Sequence, residues 1–271
     1  MADRTRQAFE KAKAQGRIAL APFVTVGYPS PAATPGIVKA MVEAGADVVE
    51  LGVPFSDPLA EGPTIQKSSF AALEQGVTPQ VCIDIAAGLR RDGVKTPFIF
   101  MGYYNPVLAF GMERFCDRAA AAGVDGLIVA DLPQEEAGPL TDIADRRGLI
   151  VVPLLALTST DERIALGCRR AGGFVYCVSV LGVTGARTAM SERVRGLAGK
   201  VRAHTALPVG VGFGISRPEH VADVAKFADG AIVGSALIDA ISAGPESGAA
   251  ERAGAFIRSL APGAKRVVAS K

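Results

Sequence analysis

The chain has 271 residues, 49% of them apolar and 6% aromatic, which is enough apolar material for a large core. Its 29 basic and 27 acidic residues give a net charge of +2, which excludes a bulk electrostatic field for nucleic acid or an anionic membrane surface. No linker-like segment or shift in composition divides the sequence, so we expect one domain over residues 1–271.

Cysteine and histidine usage indicates the compartment and the metal content. The four cysteines, Cys82, Cys116, Cys168 and Cys177, lack C-x-x-C or finger spacing, and the amino terminus lacks the apolar segment of a signal peptide. Apolar runs stay shorter than the roughly 18 residues that would suggest a membrane span. The two histidines, His204 and His220, form no ligand-spaced cluster. We therefore expect a cytoplasmic protein with reduced thiols and no metal site.

Short apolar runs alternate along the chain with segments of helical period. The predicted strands are residues 18–24, 47–51, 97–101, 126–130, 150–154, 174–178, 208–211 and 230–233. The predicted helices are residues 5–15, 32–44, 80–91, 112–122, 134–147, 160–171, 191–204, 217–227 and 249–259. Small-residue turns precede several strands, for example Ala44-Gly45-Ala46-Asp47, where glycine ends a helix. Eight strand–helix units predict a parallel sheet closed as a TIM (β/α)8 barrel, with an extra N-terminal helix over its bottom and a C-terminal helix.

One ionisable residue, Glu50, stands inside the second apolar strand, close to its carboxyl end. In a (β/α)8 barrel this end of the strands carries the active site. Partial desolvation there would raise the pKa of a carboxyl group toward the range that general acid/base catalysis uses. The alternative role for Glu50 is a structural ion pair with a neighbouring lysine or arginine.

The segment after this strand carries two more carboxylates, Asp57 and Glu61. Its prolines and glycines, including Pro54, Gly62 and Pro63, predict a long loop in which neither helix nor strand can run. Glu61 could supply a second carboxylate to the pocket, or it could be an ordinary solvated glutamate. Asp57 lies between a serine and a proline, a pattern that is equally typical of a turn.

Three glycine-containing segments follow the last three strands. They are Gly182-Val183-Thr184-Gly185, Gly212-Phe213-Gly214-Ile215-Ser216 and, opening a helix, Gly234-Ser235-Ala236-Leu237. Glycine lets backbone amides approach an anion closely, and a helix N-terminus adds aligned N–H groups. Barrel enzymes often hold phosphate between the loops after strands 7 and 8, so these segments together predict a phosphate site.

Large apolar and aromatic residues are predicted at the same mouth. They are Phe23, Met101, Tyr103, Tyr104, Tyr176 and Phe213. Any one of them could be core packing, but as a set with few charges they indicate an apolar slot beside the anion site. The predicted ligand is amphipathic, with a phosphate at one end and an apolar, flat group at the other.

The run from Glu50 through Pro54-Phe55-Ser56-Asp57-Pro58 to Gln66 resembles the alpha subunit family of tryptophan synthase. Further landmarks follow in the family's order along nearly the whole chain. They are Pro22-Phe23-Val24-Thr25, Tyr103 with Asn105-Pro106, Ala130-Asp131-Leu132-Pro133, Gly182-Val183-Thr184-Gly185, Gly212-Phe213-Gly214-Ile215 and Gly234-Ser235-Ala236.

This resemblance implies retro-aldol cleavage of indole-3-glycerol phosphate to indole and glyceraldehyde 3-phosphate, without a metal or organic cofactor in this chain. Glu50 matches the general acid/base, and Tyr176 lies beside it. Glu61 stands where the family usually has aspartate, which stabilises positive charge at the indole nitrogen. The remaining positions match the indole pocket (Phe23, Met101, Tyr103, Phe213), the phosphate site (Gly185, Gly214, Gly234, Ser235) and a loop-closing pair (Asp57, Thr184). Met101 replaces a common leucine.

The resemblance also implies a partner. Members of the family work with a pyridoxal-phosphate-dependent beta subunit, usually as two alpha and two beta chains, and residues 56–62 and 102–111 would face it. Closure of the segment 182–190 is expected to keep water out of the site. Two alternatives stay open: another phosphate-binding barrel, such as an isomerase of a phosphorylated sugar or anthranilate derivative, and a weakly catalytic barrel that activates the beta partner. The glutamate at position 61 is the reason for the second.

Overall fold

The computed structural model describes residues 3–178, 187–212 and 214–266. In these ranges nine strands form one sheet in which every neighbouring pair is parallel. The strands are β1 Ala19–Thr25, β2 Val49–Gly52, β3 Phe98–Gly102, β4 Gly126–Val129, β5 Ile150–Val151, β6 Leu154–Ala156, β7 Val175–Val178, β8 Val209–Gly212 and β9 Gly230–Val233.

Helices follow or precede each strand. They are α1 Arg4–Ala14, α2 Thr34–Glu43, α3 Pro63–Glu74, α4 Pro79–Arg91, α5 Tyr104–Phe110, α6 Met112–Ala121, α7 Gly138–Asp145, α8 Asp161–Arg169, α9 Arg187–His204, α10 Pro218–Ala225, α11 Ser235–Ser242 and α12 Ala249–Leu260, with 3-10 turns at Glu246–Gly248 and Ala261–Ala264. Among the described helices, none is both long and apolar enough to cross a membrane.

The strand order is β5-β4-β3-β2-β1-β9-β8-β7-β6, so the two edge strands, β5 and β6, are consecutive in the chain. Val152, between them, donates its amide to Leu127 on the β4 side at 2.9 Å, and the carbonyl of Pro153 accepts from Tyr176 on the β7 side at 3.1 Å. The segment 150–156 therefore joins both edges and closes the sheet. The fold is the predicted (β/α)8 barrel.

The fifth predicted strand, residues 150–154, was expected as one element and is divided into β5 and β6. Pro153 has no N–H group, so it cannot donate to the ladder on the side of β7. Two helices were also missing from the sequence analysis. The segment after β2 was expected to be loop through residue 66, but α3 begins at Pro63, because proline is tolerated at the first position of a helix. Likewise, α5 occupies most of residues 102–111.

Inward-facing residues alternate with outward-facing ones along each strand. The interior cluster contains Ala19, Ala21, Val48, Ile99, Ile128, Val152, Phe174, Tyr176 and Ile232, together with Phe9 and Ala12 of α1. The Phe9 ring stacks on Phe174 with centroids 5.0 Å apart. The N-terminal helix therefore closes the bottom of the barrel, as the sequence predicted.

Three aspartates at the bottom of the barrel connect neighbouring strands. Asp47, Asp125 and Asp229 stand just before β2, β4 and β9. Their carboxylates accept the amides of Leu20, Phe98 and Val209 on the preceding barrel strands at 2.9, 2.9 and 3.0 Å. The amides of the aspartates donate in return to the carbonyls of the same three residues at 2.9, 2.9 and 2.8 Å. Each aspartate thus fixes the register of one strand pair at its start.

Arginines from the surrounding elements complete these contacts. Arg17 pairs with Asp47 at 2.5 and 2.8 Å, and Arg90 donates to Asp125 at 2.9 Å while its guanidinium lies 3.8 Å from the centroid of Phe98. Burial lowers the pKa of Arg90 to about 10, against the charge of Asp125, which raises it. At β7 the equivalent position is glycine, and the amide of Gly173 donates to Asp3, the N-cap residue of α1, at 2.9 Å.

We expect Asp125→Ala to lower the free energy of unfolding by about 2–4 kcal/mol, because it leaves the Phe98 amide and the buried side of Arg90 without their acceptor. Urea unfolding followed by circular dichroism measures this change. Asp117→Ala is the matched control, since Asp117 is an exposed aspartate paired with Arg147 at 2.5 Å, and its urea midpoint should stay at the wild-type value. Equal midpoints for the two variants would contradict the role of Asp125.

Candidate active site

The site is at the carboxyl ends of the strands, where the barrel opens. Glu50 lies on β2 in register with Phe23 of β1 and Ile99 of β3. Register partners in a parallel sheet project from the same face, and Ile99 belongs to the interior cluster. Glu50 therefore points into the barrel between two apolar neighbours.

Glu50 is fully buried, and within the described residues neither of its carboxyl oxygens has a hydrogen-bond partner. Burial, and then the charge of Glu61, raises the pKa of Glu50 from 4.5 to about 8. The structural ion pair that the sequence left open is not formed with any described lysine or arginine. A buried, unpartnered carboxyl that keeps its proton at neutral pH is suited to donate that proton to a ligand.

Glu61 lies in the segment between β2 and α3, and it is partly buried. Its amide donates to the carbonyl of Pro58 at 3.0 Å, and its carbonyl accepts from the side chain of Gln66 at 2.9 Å. Burial raises the pKa of the Glu61 carboxyl from 4.5 to about 7. Partial burial with a raised pKa favours the pocket role over the solvated alternative. The division of acid and base roles between Glu50 and Glu61 stays a prediction.

An apolar cleft opens beside Glu61. Phe23, Met101, Tyr103 and Glu61 line it. The other lining residues are the strand ends Thr25, Gly52 and Gly102, Val53, Pro54, Phe55 and Pro58 of the β2–α3 segment, and Ile65 and Ser69 of α3. Three predicted pocket residues are thus brought together with one of the two carboxylates. The fourth predicted pocket residue, Phe213, lies outside the described residues. Tyr104 does not line the cleft, and its hydroxyl contacts the sulfur of Met112 at 3.2 Å.

Two strand-end glycines make room for the aromatic rings of this mouth. A Cβ atom built on Gly52 would lie 2.4 Å from Cζ of Phe23, and one on Gly212 would lie 2.4 Å from the hydroxyl of Tyr176. Both distances are shorter than van der Waals contact, so the rings lie across bare backbone. Any larger residue at Gly52 or Gly212 would displace its ring.

Tyr176 lies on β7 and is buried in the interior cluster. Burial raises the pKa of its hydroxyl well above the usual value of 10, and the charges of Glu50 and then Glu61 raise it further. The hydroxyl therefore stays protonated and lies within electrostatic reach of both carboxyl groups. Its predicted place beside Glu50 agrees with this arrangement.

The predicted phosphate end is the N-terminus of α11. Gly234 is the N-cap residue, with φ −110° and ψ −92°, and no side chain caps the helix there. A Cβ atom on Gly234 would lie 3.4 Å from Ile65 and 3.9 Å from Phe23, both of which line the cleft. The N-terminus of α11 therefore lies next to the apolar pocket, and the free amides and positive dipole end of a helix N-terminus favour an anion.

The structure describes some of the other residues predicted to bind phosphate or to close loops over the ligand. Gly214 has φ +46°, a left-handed conformation that favours glycine, and it follows β8 on the same side of the barrel. Gly185 and Thr184 lie outside the described residues. Asp57 is exposed and accepts the hydroxyl of Ser56 at 2.5 Å, the local contact expected of a turn. Its closing role stays a prediction.

Polar residues that the sequence patterns did not reveal hold the β2–α3 segment in place. Ser69 on α3 accepts the amide of Phe55 at 2.9 Å and donates to its carbonyl at 3.0 Å. The hydroxyl of Ser68 lies 2.7 Å from that of Thr25 on β1. Both serines are buried, and their signal was hidden because α3 itself was not predicted. Within the described residues, no group of three or more His, Cys, Asp or Glu side chains is arranged to hold a metal ion.

The raised pKa of Glu50 predicts how stability depends on pH. Between about pH 5 and pH 8 the native state holds a proton on Glu50 that the unfolded chain releases, so the free energy of unfolding falls as pH rises, by up to about 1.4 kcal/mol per pH unit. Glu50→Gln removes this group, so we expect its stability relative to wild type to increase from pH 5.5 to pH 7.5. Urea unfolding at both pH values measures the difference.

Glu74→Gln is the control for this experiment, because Glu74 is an exposed glutamate on α3. Its pH dependence should follow that of the wild type. Glu61 also makes the free energy of unfolding depend on pH, with the same sign in all three proteins. Its contribution therefore cancels to first order when the variants are compared with the wild type. Parallel stability curves for wild type and Glu50→Gln would show that Glu50 titrates normally.

Comparison with known proteins places this geometry in one family. The family model described as tryptophan synthase alpha chain matches residues 9–262. The tryptophan synthase alpha chain of Chloroflexus aggregans is 48% identical over 265 residues, covering 98% of this chain and 99% of that protein.

Two solved structures share the fold. Tryptophan synthase subunit alpha from Legionella pneumophila str. Paris has 36% identity and a TM-score of 0.90, covering 98% of this chain and 100% of that one. A ligand-free tryptophan synthase structure from M. tuberculosis has 36% identity and a TM-score of 0.88, covering 97% of this chain and 100% of that one. The resemblance found in the sequence is confirmed, and the chain belongs to the tryptophan synthase alpha chain family.

Proposed function

We propose that this chain is a carbon–carbon lyase that cleaves indole-3-glycerol phosphate to indole and D-glyceraldehyde 3-phosphate in L-tryptophan biosynthesis. The observation that carries the proposal is the buried Glu50 carboxyl, without a protein partner, at the mouth whose apolar cleft adjoins the N-terminus of α11. Family membership supports the same reaction.

The ligand has two ends, and the site offers a matching surface for each. The indole ring would lie in the cleft against Phe23, Met101 and Tyr103. The phosphate would meet the amides of Gly234 and Ser235. The resemblance to the family implies that Gly214 and Gly185 complete the phosphate end and Phe213 the indole end. The glycerol carbons would then span the distance between them and pass Glu50.

The reaction adds one proton to the indole ring and removes one from the glycerol part of the substrate. Glu50, protonated at neutral pH, would donate its proton to indole C3, which leaves positive charge on the ring nitrogen. The ionised Glu50 would then accept the proton of the hydroxyl beside the scissile bond. The O–H electrons form the aldehyde C=O, and the electrons of the broken carbon–carbon bond return to the ring as indole.

Glu61 would stabilise the positive charge at the indole nitrogen, and Tyr176 would hold its hydroxyl near Glu50. The active ionisation state has Glu61 charged and Glu50 protonated. The stronger burial of Glu50 and the charge of Glu61, which both raise the pKa of Glu50, favour this state. These two carboxyl groups supply the proton transfers and the charge stabilisation, so we propose that the chain uses no metal or organic cofactor of its own. Asp57 and Thr184 would close the loops over the substrate.

We propose a pyridoxal-phosphate-dependent beta subunit as the partner, in an assembly of two alpha and two beta chains. Leu59 in the β2–α3 segment is 90% exposed and Leu108 on α5 is 48% exposed, and both lie in the segments expected to face that partner. Exposed apolar side chains of this size favour a protein contact. We also propose a cytoplasmic location, where the four free, buried cysteines would stay reduced.

Glu50→Gln keeps the shape of the side chain but cannot transfer a proton, so we expect kcat for indole release to fall by about 10²–10⁴-fold. Indole-3-glycerol phosphate is mixed with purified protein, with and without beta subunit, and released indole is measured. Glu74→Gln, at the exposed site on α3, should retain wild-type kcat. If wild-type protein releases no indole in either condition but still binds inorganic phosphate, the activator role replaces the lyase.

Glu61→Asp tests the departure from the usual aspartate. The backbone at positions 60 and 61 is held by Tyr103, Pro58 and Gln66, so it cannot advance to compensate for a shorter side chain. We expect kcat to fall by about 10–100-fold, because the carboxylate withdraws by roughly an ångström. Glu74→Asp makes the same shortening at an exposed position and should change nothing. A kcat at or above wild type in Glu61→Asp would mean that glutamate is poorly placed.

A further inference from the structure

The hydroxyl of Tyr103 makes a contact that a role in the apolar pocket does not require. It accepts the backbone amide of Ala60 at 2.9 Å. The ring of Tyr103 is buried and lies 5.3 Å from the ring of Phe55, centroid to centroid, with an interplanar angle of 32°. Tyr103 therefore contacts the segment between β2 and α3 both through its ring and through its hydroxyl.

Tyr103 is the fixed side of this contact. It directly follows β3 and is the N-cap residue of α5. The amide of the next residue, Tyr104, donates to Asp131 after β4 at 2.8 Å, and the amide of Ala130 donates to Gly102 at 2.9 Å. Two neighbouring strands and a helix thus determine where the hydroxyl lies.

The segment 57–61 depends on this contact for its position. The amides of Leu59 and Glu61 donate to Asp57 at 2.8 Å and to Pro58 at 3.0 Å, both inside the segment itself. Of the three amides from Leu59 to Glu61, the one on Ala60 is bound to a group outside the segment. Ala60 directly precedes Glu61, whose side chain lines the cleft. From outside the segment, Gln66 of α3 binds the carbonyl of Glu61, and the hydroxyl of Tyr103 binds the amide of the residue before it.

We propose that the hydroxyl of Tyr103 is a positioning group that holds the Glu61 carboxylate toward the ligand by fixing the amide of Ala60. The inference rests on the lyase activity proposed above and adds to it a role for Tyr103 beyond contact with the ring. Without this bond, residues 57–61 keep their bonds to one another and the bond from Gln66 to the carbonyl of Glu61, and the Glu61 side chain would sample positions displaced from the productive one. A misplacement of about 1 Å can lower a catalytic rate by about 10²-fold.

Tyr103→Phe tests the proposal because it removes the hydroxyl and keeps the ring. We expect kcat for indole release to fall by about 10-fold, while KM changes by less than about threefold, since the ring and phosphate contacts are retained. Tyr104→Phe is the matched control. It removes a neighbouring hydroxyl that contacts Met112 on α6, and kcat should stay within about twofold of wild type.

A double-mutant cycle with Glu61→Gln separates positioning from a general structural role. If the Tyr103 hydroxyl acts through Glu61, Tyr103→Phe causes no further loss of kcat once Glu61 is glutamine. Losses that multiply in the double variant would overturn the proposal. A wild-type kcat in Tyr103→Phe would overturn it as well.

Amide hydrogen exchange at Ala60 gives a readout that is independent of activity. We expect exchange at least about 10-fold faster in Tyr103→Phe than in wild type or Tyr104→Phe, with exchange in the core strands unchanged. If wild-type protein shows no lyase activity, the proposed function fails, and the exchange rate still decides whether the hydroxyl fixes the segment. Equal exchange at Ala60 in all three proteins would show that it does not.

Discussion

The unpaired burial of the Glu50 carboxyl is the constraint on which the site depends. A carboxyl group removed from water without a hydrogen bond is unfavourable, and its raised pKa is the consequence of that desolvation. The surrounding frame must therefore hold the strand in place without help from Glu50. The barrel does this at the opposite end. There the carboxylates of Asp47, Asp125 and Asp229 each bind an amide of the preceding strand, and each also pairs with an arginine. Stability and chemistry occupy different ends of the same strands.

The Glu50–Glu61 pair shows why the two carboxyl groups need different supports. Glu50 is carried by a strand, so its direction follows from the pleat of the sheet. Glu61 is carried by an irregular segment, so its direction depends on contacts made by Tyr103, Gln66 and Ser69 with the backbone around it. Proton transfer requires a reproducible distance, and electrostatic stabilisation tolerates somewhat more variation. The more demanding task is therefore assigned to the residue on the more rigid element.

Much of the fold could be predicted from local patterns, and the failures have physical causes. Strand 230–233 and the position of Glu50 followed from apolar runs in a repeated frame. The division at Pro153 and the helix that starts at Pro63 were missed because proline has different effects at different positions. The raised pKa of Glu61 depends on burial in the folded site, and the bond between Ala60 and Tyr103 joins residues 43 positions apart, which no local pattern contains. The repeated Gly-x-Asp turns were recognised as helix ends, but their carboxylates' contacts across strands were not.

The glycines at the ends of β2 and β8 have a consequence for which molecules the mouth admits. Phe23 and Tyr176 each lie on backbone that carries no side chain, so the positions of both rings depend on the absence of a methyl group at Gly52 and at Gly212. Attempts to evolve the chain toward bulkier bicyclic compounds would find Gly52 and Gly212 already at their smallest size. Additional room would have to come from Met101, whose unbranched side chain adapts most readily to a new shape.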